Sequence, residues 1–331
     1  MMTHKERIEK ALAFQETDRV PFSLWAHFPN LDRNPRRLAE KSLEQQKELD
    51  LDFIKFMPYG LYSTVDYGLD LKVFPGFNDA PVEEEYIIKK VDDWDSIKMV
   101  SGRSGEYSIL LEAQRLCFEM MDERIPFLQT VFSPMTTAAK MAGPEMLVRH
   151  IQEKPEKVRR ALELITETTK QFVNAVVEGG ADGIFYATQM STYERMTESL
   201  HKDFVKKHDL EVLNTIKNKT WFNVIHIHGA NCMIKELQDY PIQAISWHDR
   251  DDGPSMSEVR TFSNKVFVGG LSWGKNWLSK SNEAVSREVA EVASWREKDK
   301  GIIMGPGCVI DPTTPSERLE LVKRGVLDTA R

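Results

Sequence analysis

Eight short, continuous apolar runs recur along the chain: 19–28 (RVPFSLWAHF), 51–58 (LDFIKFMP), 124–134 (RIPFLQTVFSP), 181–189 (ADGIFYATQ), 221–229 (WFNVIHIHG), 243–249 (QAISWHD), 265–273 (KVFVGGLSW) and 300–310 (KGIIMGPGCVI). They are not the strict alternation of a half-buried strand, and they read as strands covered on both faces. Between most of them lie stretches of helical period: PRRLAEKSLEQQKEL, EYSILLEAQRLCFEMM, PEKVRRALELITETTKQFVNAVVEG, ANCMIKELQDY and SNEAVSREVAEVASWREK. The longest opens on Pro155 and closes on Gly179 and Gly180, the asymmetry expected of a helix start and stop. Eight strands, each followed by a helical stretch, predict an α/β protein of the (β/α)8 (TIM) barrel type. It is expected as one domain over 1–331, behind an N-terminal amphipathic helix (MMTHKERIEKALAF). An open doubly wound sheet usually stops at about five to seven strands. Region 60–100 breaks the rhythm and predicts a small β-rich insertion after the second strand, lying over the barrel mouth.

Composition narrows the class. In 331 residues, 41% hydrophobic and 29% charged, there is material for a large buried core. A formal charge of −7 argues against nucleic acid as a partner, because no basic face emerges. The densest basic stretch, 201–220, is interrupted by acids and reads as the solvated side of a helix. No apolar run approaches the ~18 residues of a membrane span. Three cysteines make no disulfide framework, so a cytoplasmic location is expected.

Active sites of such barrels sit at the C-terminal ends of the strands. Those ends carry His27, Tyr59, Ser133, Gln189, His226 with His228, His248, Trp273 and Cys308. In NVIHIHGANC, His226 and His228 stand at i and i+2, and so share one face of the strand. His248 ends the sixth strand and Cys308 the eighth, so scattered residues converge at one mouth. Zinc accepts imidazole nitrogen and thiolate sulfur, which makes His226, His228 and Cys308 candidate metal ligands and catalytic residues. Satisfied structural histidines are the competing expectation. Cys117 reads as helix core and Cys232 as the inner face of the helix after the fifth strand. Trp25, Phe28, Tyr59, Phe132, Trp247 and Trp273, with Gln189, are candidate substrate contacts around an apolar, ring-sized pocket. Asp249 or Asp251 is placed to orient a ligating imidazole.

The segments THKERIEKALAFQETDRVPF, GGADGIFYATQ, VIHIHGANCMIKELQDYPIQAISWHDR and PGCVIDPTTPSERLELV together resemble the uroporphyrinogen decarboxylase superfamily. The resemblance implies a (β/α)8 barrel and one of two chemistries: metal-free decarboxylation in haem synthesis, or zinc-dependent methyl transfer to or from a corrinoid protein. The decarboxylase motifs are missing. An arginine-rich RQAGR is replaced by LWAHFPNLDRNPRR, and an Asp in FSD by Met57 or Pro58 in KFMPYG. A tyrosine falls near Lys140, and GHG becomes PGC. The methyltransferase branch uses His-x-Cys and a later Cys, which map onto His226, His228 and Cys308, with His228 replacing a thiolate. The resemblance to more distant cobalamin-independent methionine synthases adds His248 as a fourth zinc ligand. Two imidazoles and one thiolate leave zinc at +1, a stronger Lewis acid than a two-thiolate site, which opens oxygen substrates. The expected function is thus a zinc-dependent methyltransferase acting on a small methylated or methoxylated molecule. Its corrinoid (cobalamin) partner is a separate protein, since no cobalamin-binding segment is evident. A metal-free decarboxylase and a non-catalytic ligand-binding barrel are the rivals.

Overall fold

The computed structural model describes residues 1–70 and 86–330. Seven strands form one sheet: β1 (Ile54–Phe56), β2 (Phe127–Phe132), β3 (Gly183–Thr188), β4 (Val224–Ile227), β5 (Ala244–Ser246), β6 (Val266–Leu271) and β7 (Ile302–Pro306). They lie in chain order, each parallel to its neighbour. Every strand in this sheet is fully buried, which is why the apolar runs are continuous.

The first apolar run, 19–28, forms isolated parallel bridges and no regular strand: Phe22 to Met304 and Ala26 to Ile310. On its other side, the Asp52 N–H donates to Phe22 O at 2.9 Å, and Ser23 Oγ donates to Phe53 O at 2.7 Å. The segment therefore lies between β7 and the approach to β1. Two features keep it from a full ladder: Pro21 has no N–H, and the Phe22 N–H is taken by the Asp52 carboxylate at 2.8 Å. One apolar cluster contains Trp25, Phe53, Leu128, Phe185, Val224, Ala244, Val268 and Ile303. Each comes from a different strand or the residue just before it, or, for Trp25, from the first run. A flat sheet would keep its edge strands too far apart for that; this sheet curls so that residues of both edges share one cluster.

Helices follow the strands much as their periodicity predicts. The helices Pro35–Leu49, Gly105–Met120, Pro155–Glu178 and Asn282–Trp295 occupy the expected segments. Gly180 turns at φ 95° just beyond the long one. Two expectations need correction. The stretch ANCMIKELQDY holds only a 3₁₀ turn, Ile234–Leu237, hemmed in by Asn231 at φ 53° and by Pro241. Cys232 is accordingly not on a helix: it bridges Thr192 in antiparallel fashion, and its thiol donates to Gly229 O at 3.1 Å. In the proposed insertion, the described flanks are a helix, Tyr62–Val65, and a 3₁₀ turn, Val91–Ser96; residues 71–85 lie outside the described residues. Gly60, Leu61 and Tyr86 of these flanks border the central cavity. Among the described residues, no helix is long and apolar enough to cross a membrane.

Candidate metal centre

Side chains alternate across a strand, and the alternation delivers the site. Lys55 and Met57, Thr130 and Phe132, Ala187 and Gln189, and His226 and His228 all face one cavity of about 680 Å³ at the C-terminal strand ends. β4 stops one residue before His228, and Gly229 follows at φ 113°, a turn that disfavours any side chain.

Four donors gather here. Ligand atoms of His226, His228, His248 and Cys308 all lie within 4.8 Å of one another. His226 is 3% exposed, and its Nδ1 lies 3.2 Å from Ser246 Oγ, while its Nε2 is buried with no hydrogen-bond partner among the described residues. His248 repeats the arrangement: Nδ1 is 2.5 Å from Asp252 Oδ2, and Nε2 is buried without a partner. His228 Nδ1 stands 3.6 Å from Cys308 Sγ. A tetrahedral zinc with bonds of about 2.0–2.3 Å separates its donors by about 3.3–3.8 Å. The sulfur–nitrogen pair already meets that spacing, and the widest pair needs to close by about an ångström. Two buried Nε2 atoms would otherwise be left unsatisfied, which native interiors rarely tolerate. The donor set fits zinc.

Electrostatics agree. Burial, reinforced by neighbouring cations, pushes the His228 imidazole down to about 3 and His226 well below its ordinary range. Burial also lowers His248, although Asp252 pulls the other way. All three are neutral near pH 7, as ligands must be. Cys308 is raised by burial, with Lys55 opposing.

Asp252, and not Asp249 or Asp251, is the carboxylate on an imidazole. Asp249 accepts from the Gly270 N–H at 3.0 Å, and Asp251 from the Trp273 N–H at 3.2 Å and Asn276 Nδ2 at 2.9 Å. Both are occupied in holding the loop. Of the expected substrate contacts, Phe132, Gln189 and Trp273 line the cavity, with the Trp273 ring centred 4.4 Å from that of His248. Trp25, Phe28, Tyr59 and Trp247 do not line it. Trp247 precedes His248 by one residue, so it points to the opposite face, packs edge-on against Phe267 and donates to Pro254 O at 2.6 Å. Trp25 lies beneath the cavity against Phe185, over Gly305, where a Cβ would meet its ring at 2.8 Å. Phe28 packs against the outer core, and the Tyr59 ring sits under Arg33, 5.4 Å from its guanidinium carbon. Cys117 is core, as expected.

The sequence placed His27 at a strand end but did not mark Lys55 or Lys140 as site residues; all three line the cavity. Burial lowers Lys55 to about 7, Lys140 to about 8 and His27 to about 4. A lysine inside an otherwise apolar run, as in DFIKFMP, was the available signal.

A family model described as uroporphyrinogen decarboxylase (URO-D) matches residues 3–325. The chain belongs to the uroporphyrinogen decarboxylase family. Within it, similarity over full length runs to methyltransferases. The methylcobamide:CoM methyltransferase MtbA of Methanosarcina acetivorans is 21% identical over 339 residues, covering 96% of each chain. MtaA of Methanosarcina barkeri, bearing the same activity name, is 22% identical over 334 residues with the same coverage. The uroporphyrinogen decarboxylase of Bordetella pertussis is 25% identical over 231 residues, 62% of this chain. Among solved structures, a methyltransferase from Methanosarcina mazei superposes with a TM-score of 0.77 at 21% identity, covering 100% of this chain and 98% of its own. Met57 and Pro58 of this URO-D family member line the cavity, and neither can form an ion pair.

Proposed function

We propose that this protein is a cytoplasmic, zinc-dependent methyltransferase. It moves a methyl group between a small methylated or methoxylated molecule and the cobalt of a separate corrinoid protein. The observation that carries this is the pair of buried, unpartnered Nε2 atoms of His226 and His248 beside the His228–Cys308 pair. The methylcobamide-using relatives that match along the full length support the same assignment. The curled seven-stranded sheet and the segment bridged to β7 support one (β/α)8 barrel domain over 1–331, the first run supplying its eighth strand.

His226, His228, His248 and Cys308 would hold the metal. When bound, zinc supplies Lewis-acid activation of the oxygen or sulfur that carries or receives the methyl group. Asp252 fixes the orientation of His248 so that Nε2 faces the other donors. Phe132 and Trp273 give the cavity apolar walls for a small ring or chain, and Gln189 offers an amide for orientation.

The deciding experiment follows cobalamin spectroscopically. Zinc-loaded protein is given free cob(I)alamin and a panel of methoxylated, methylthio and methylamino compounds; methylcob(III)alamin should appear with at least one donor. The reverse direction is run with methylcob(III)alamin and small thiols or alcohols. A protein carrying one zinc per chain that transfers in neither direction with any member would sink the proposal.

A further inference from the structure

Two lysines stand in the cavity with no carboxylate partner among the described residues. Lys55 is 8% exposed and, among the described residues, makes no ion pair; its Nζ lies 4.7 Å and 4.1 Å from the ring centroids of Trp25 and Phe185. Lys140 reaches in from the helix Pro134–Ala142, its Nζ 4.6 Å from the Phe132 ring, again with no ion pair among the described residues. Other sheltered lysines are satisfied: Lys157 by Asp92 and Asp95, Lys206 by Asp239, Lys280 by Glu288, and Lys265 by the Tyr240 and Ile242 carbonyls. Ring faces offset only part of an ammonium's lost hydration, so an interior cation without an anion is costly to keep.

The cavity's charge is also unlike the molecule's. Its described lining includes Lys55, Lys140, Arg195 and Lys275, against the single carboxylate Asp311, in a chain of net charge −7. Asp311 is already engaged by the Thr313 N–H and hydroxyl at 2.8 Å and 2.6 Å. A neutral-imidazole and thiolate metal centre adds a further net positive charge.

We propose that Lys55 and Lys140 form an anion subsite, and that the substrate is a small organic acid. Its carboxylate sits in the positive field of these two lysines, which line one cavity, while its methyl-bearing heteroatom reaches His226, His228 and Cys308. This rests on the methyl-transfer assignment for the far end of the molecule, and on the lysines alone for the acid. The enclosed volume suits a monocyclic aromatic acid or a short aliphatic one.

Calorimetric binding of matched acid and neutral compounds tests it: 4-methoxybenzoate against 4-methoxybenzyl alcohol, and (methylthio)acetate against 2-(methylthio)ethanol. Each pair is titrated into metal-free and zinc-loaded protein. At least one acid should bind about tenfold more tightly than its neutral counterpart, as a charge-assisted contact requires. Lys55→Met and Lys140→Met should each erase most of that ratio while leaving neutral binding and zinc content unchanged, and Lys55→Arg should restore part of it. Acids that bind no better than their alcohols overturn the proposal without recourse to any variant. So does a ratio that survives in both methionine variants. Binding to metal-free protein involves no methyl transfer, so failure of catalysis and failure of the anion subsite are read separately.

Discussion

His228 Nδ1 and Cys308 Sγ stand 3.6 Å apart although 80 residues separate them in the chain. A tetrahedral zinc would hold two of its donors at about that spacing. Purified protein should carry about one zinc per chain by elemental analysis. His228→Ala should lower zinc affinity tenfold or more, roughly the loss of one ligand. His228→Cys should keep the metal, reduce its effective charge, slow ether cleavage and favour a thiol acceptor. Full zinc and full activity in His228→Ala would show that this imidazole is merely packed.

Asp252 acts through His248. Its carboxylate contacts Nδ1 of the ring whose Nε2, without a partner among the described residues, belongs to the cluster with His226, His228 and Cys308. Asp252→Asn should weaken zinc binding by about 10–100-fold, the usual effect of removing a carboxylate behind a ligating histidine. A chelator competition titration measures it, with the thermal melt of metal-free protein as the control for folding. An unchanged affinity would reduce the contact to loop packing.

Zinc uptake should release about one proton per ion near pH 7. The sign follows from opposite shifts. Burial lowers His226, His228 and His248, so they are already neutral, whereas burial raises Cys308, so its thiol still holds a proton. Apparent affinity should climb about tenfold per pH unit between pH 6 and 8. Titrations in buffers of different ionisation enthalpy count the proton, and Cys308→Ser should flatten the slope. Two or more protons released would mean that the histidines are charged in the free protein.

Uroporphyrinogen should not be decarboxylated. Met57 and Pro58 occupy the cavity wall, where the resemblance leads one to expect an aspartate in a decarboxylase, and the arginine-rich motif is absent from 24–37. Coproporphyrinogen appearing at roughly one turnover per second, a rate typical of enzymes, would contradict this.

The periodicity of the chain determined the alternation of buried strands and helices, and with it the strand ends that carry His226, His228, His248 and Cys308. That much was legible because alternation along a strand and the placement of sites at strand ends are local rules. The sequence could not show that the first apolar run would be held by isolated bridges, because that depends on Asp52 capturing the Phe22 N–H from 30 residues away. Nor could it separate Trp273, which faces the cavity, from Trp247, which a single step of strand register turns into the outer core. Asp252 over its neighbours Asp249 and Asp251 was decided by loop geometry alone. Lys140 looks like an ordinary charge in the sequence, and Lys55 stands out only as a lysine inside an apolar run. Only the curled sheet removes their solvent and supplies no carboxylate among the described residues, because counter-ions are matched in space and not along the chain.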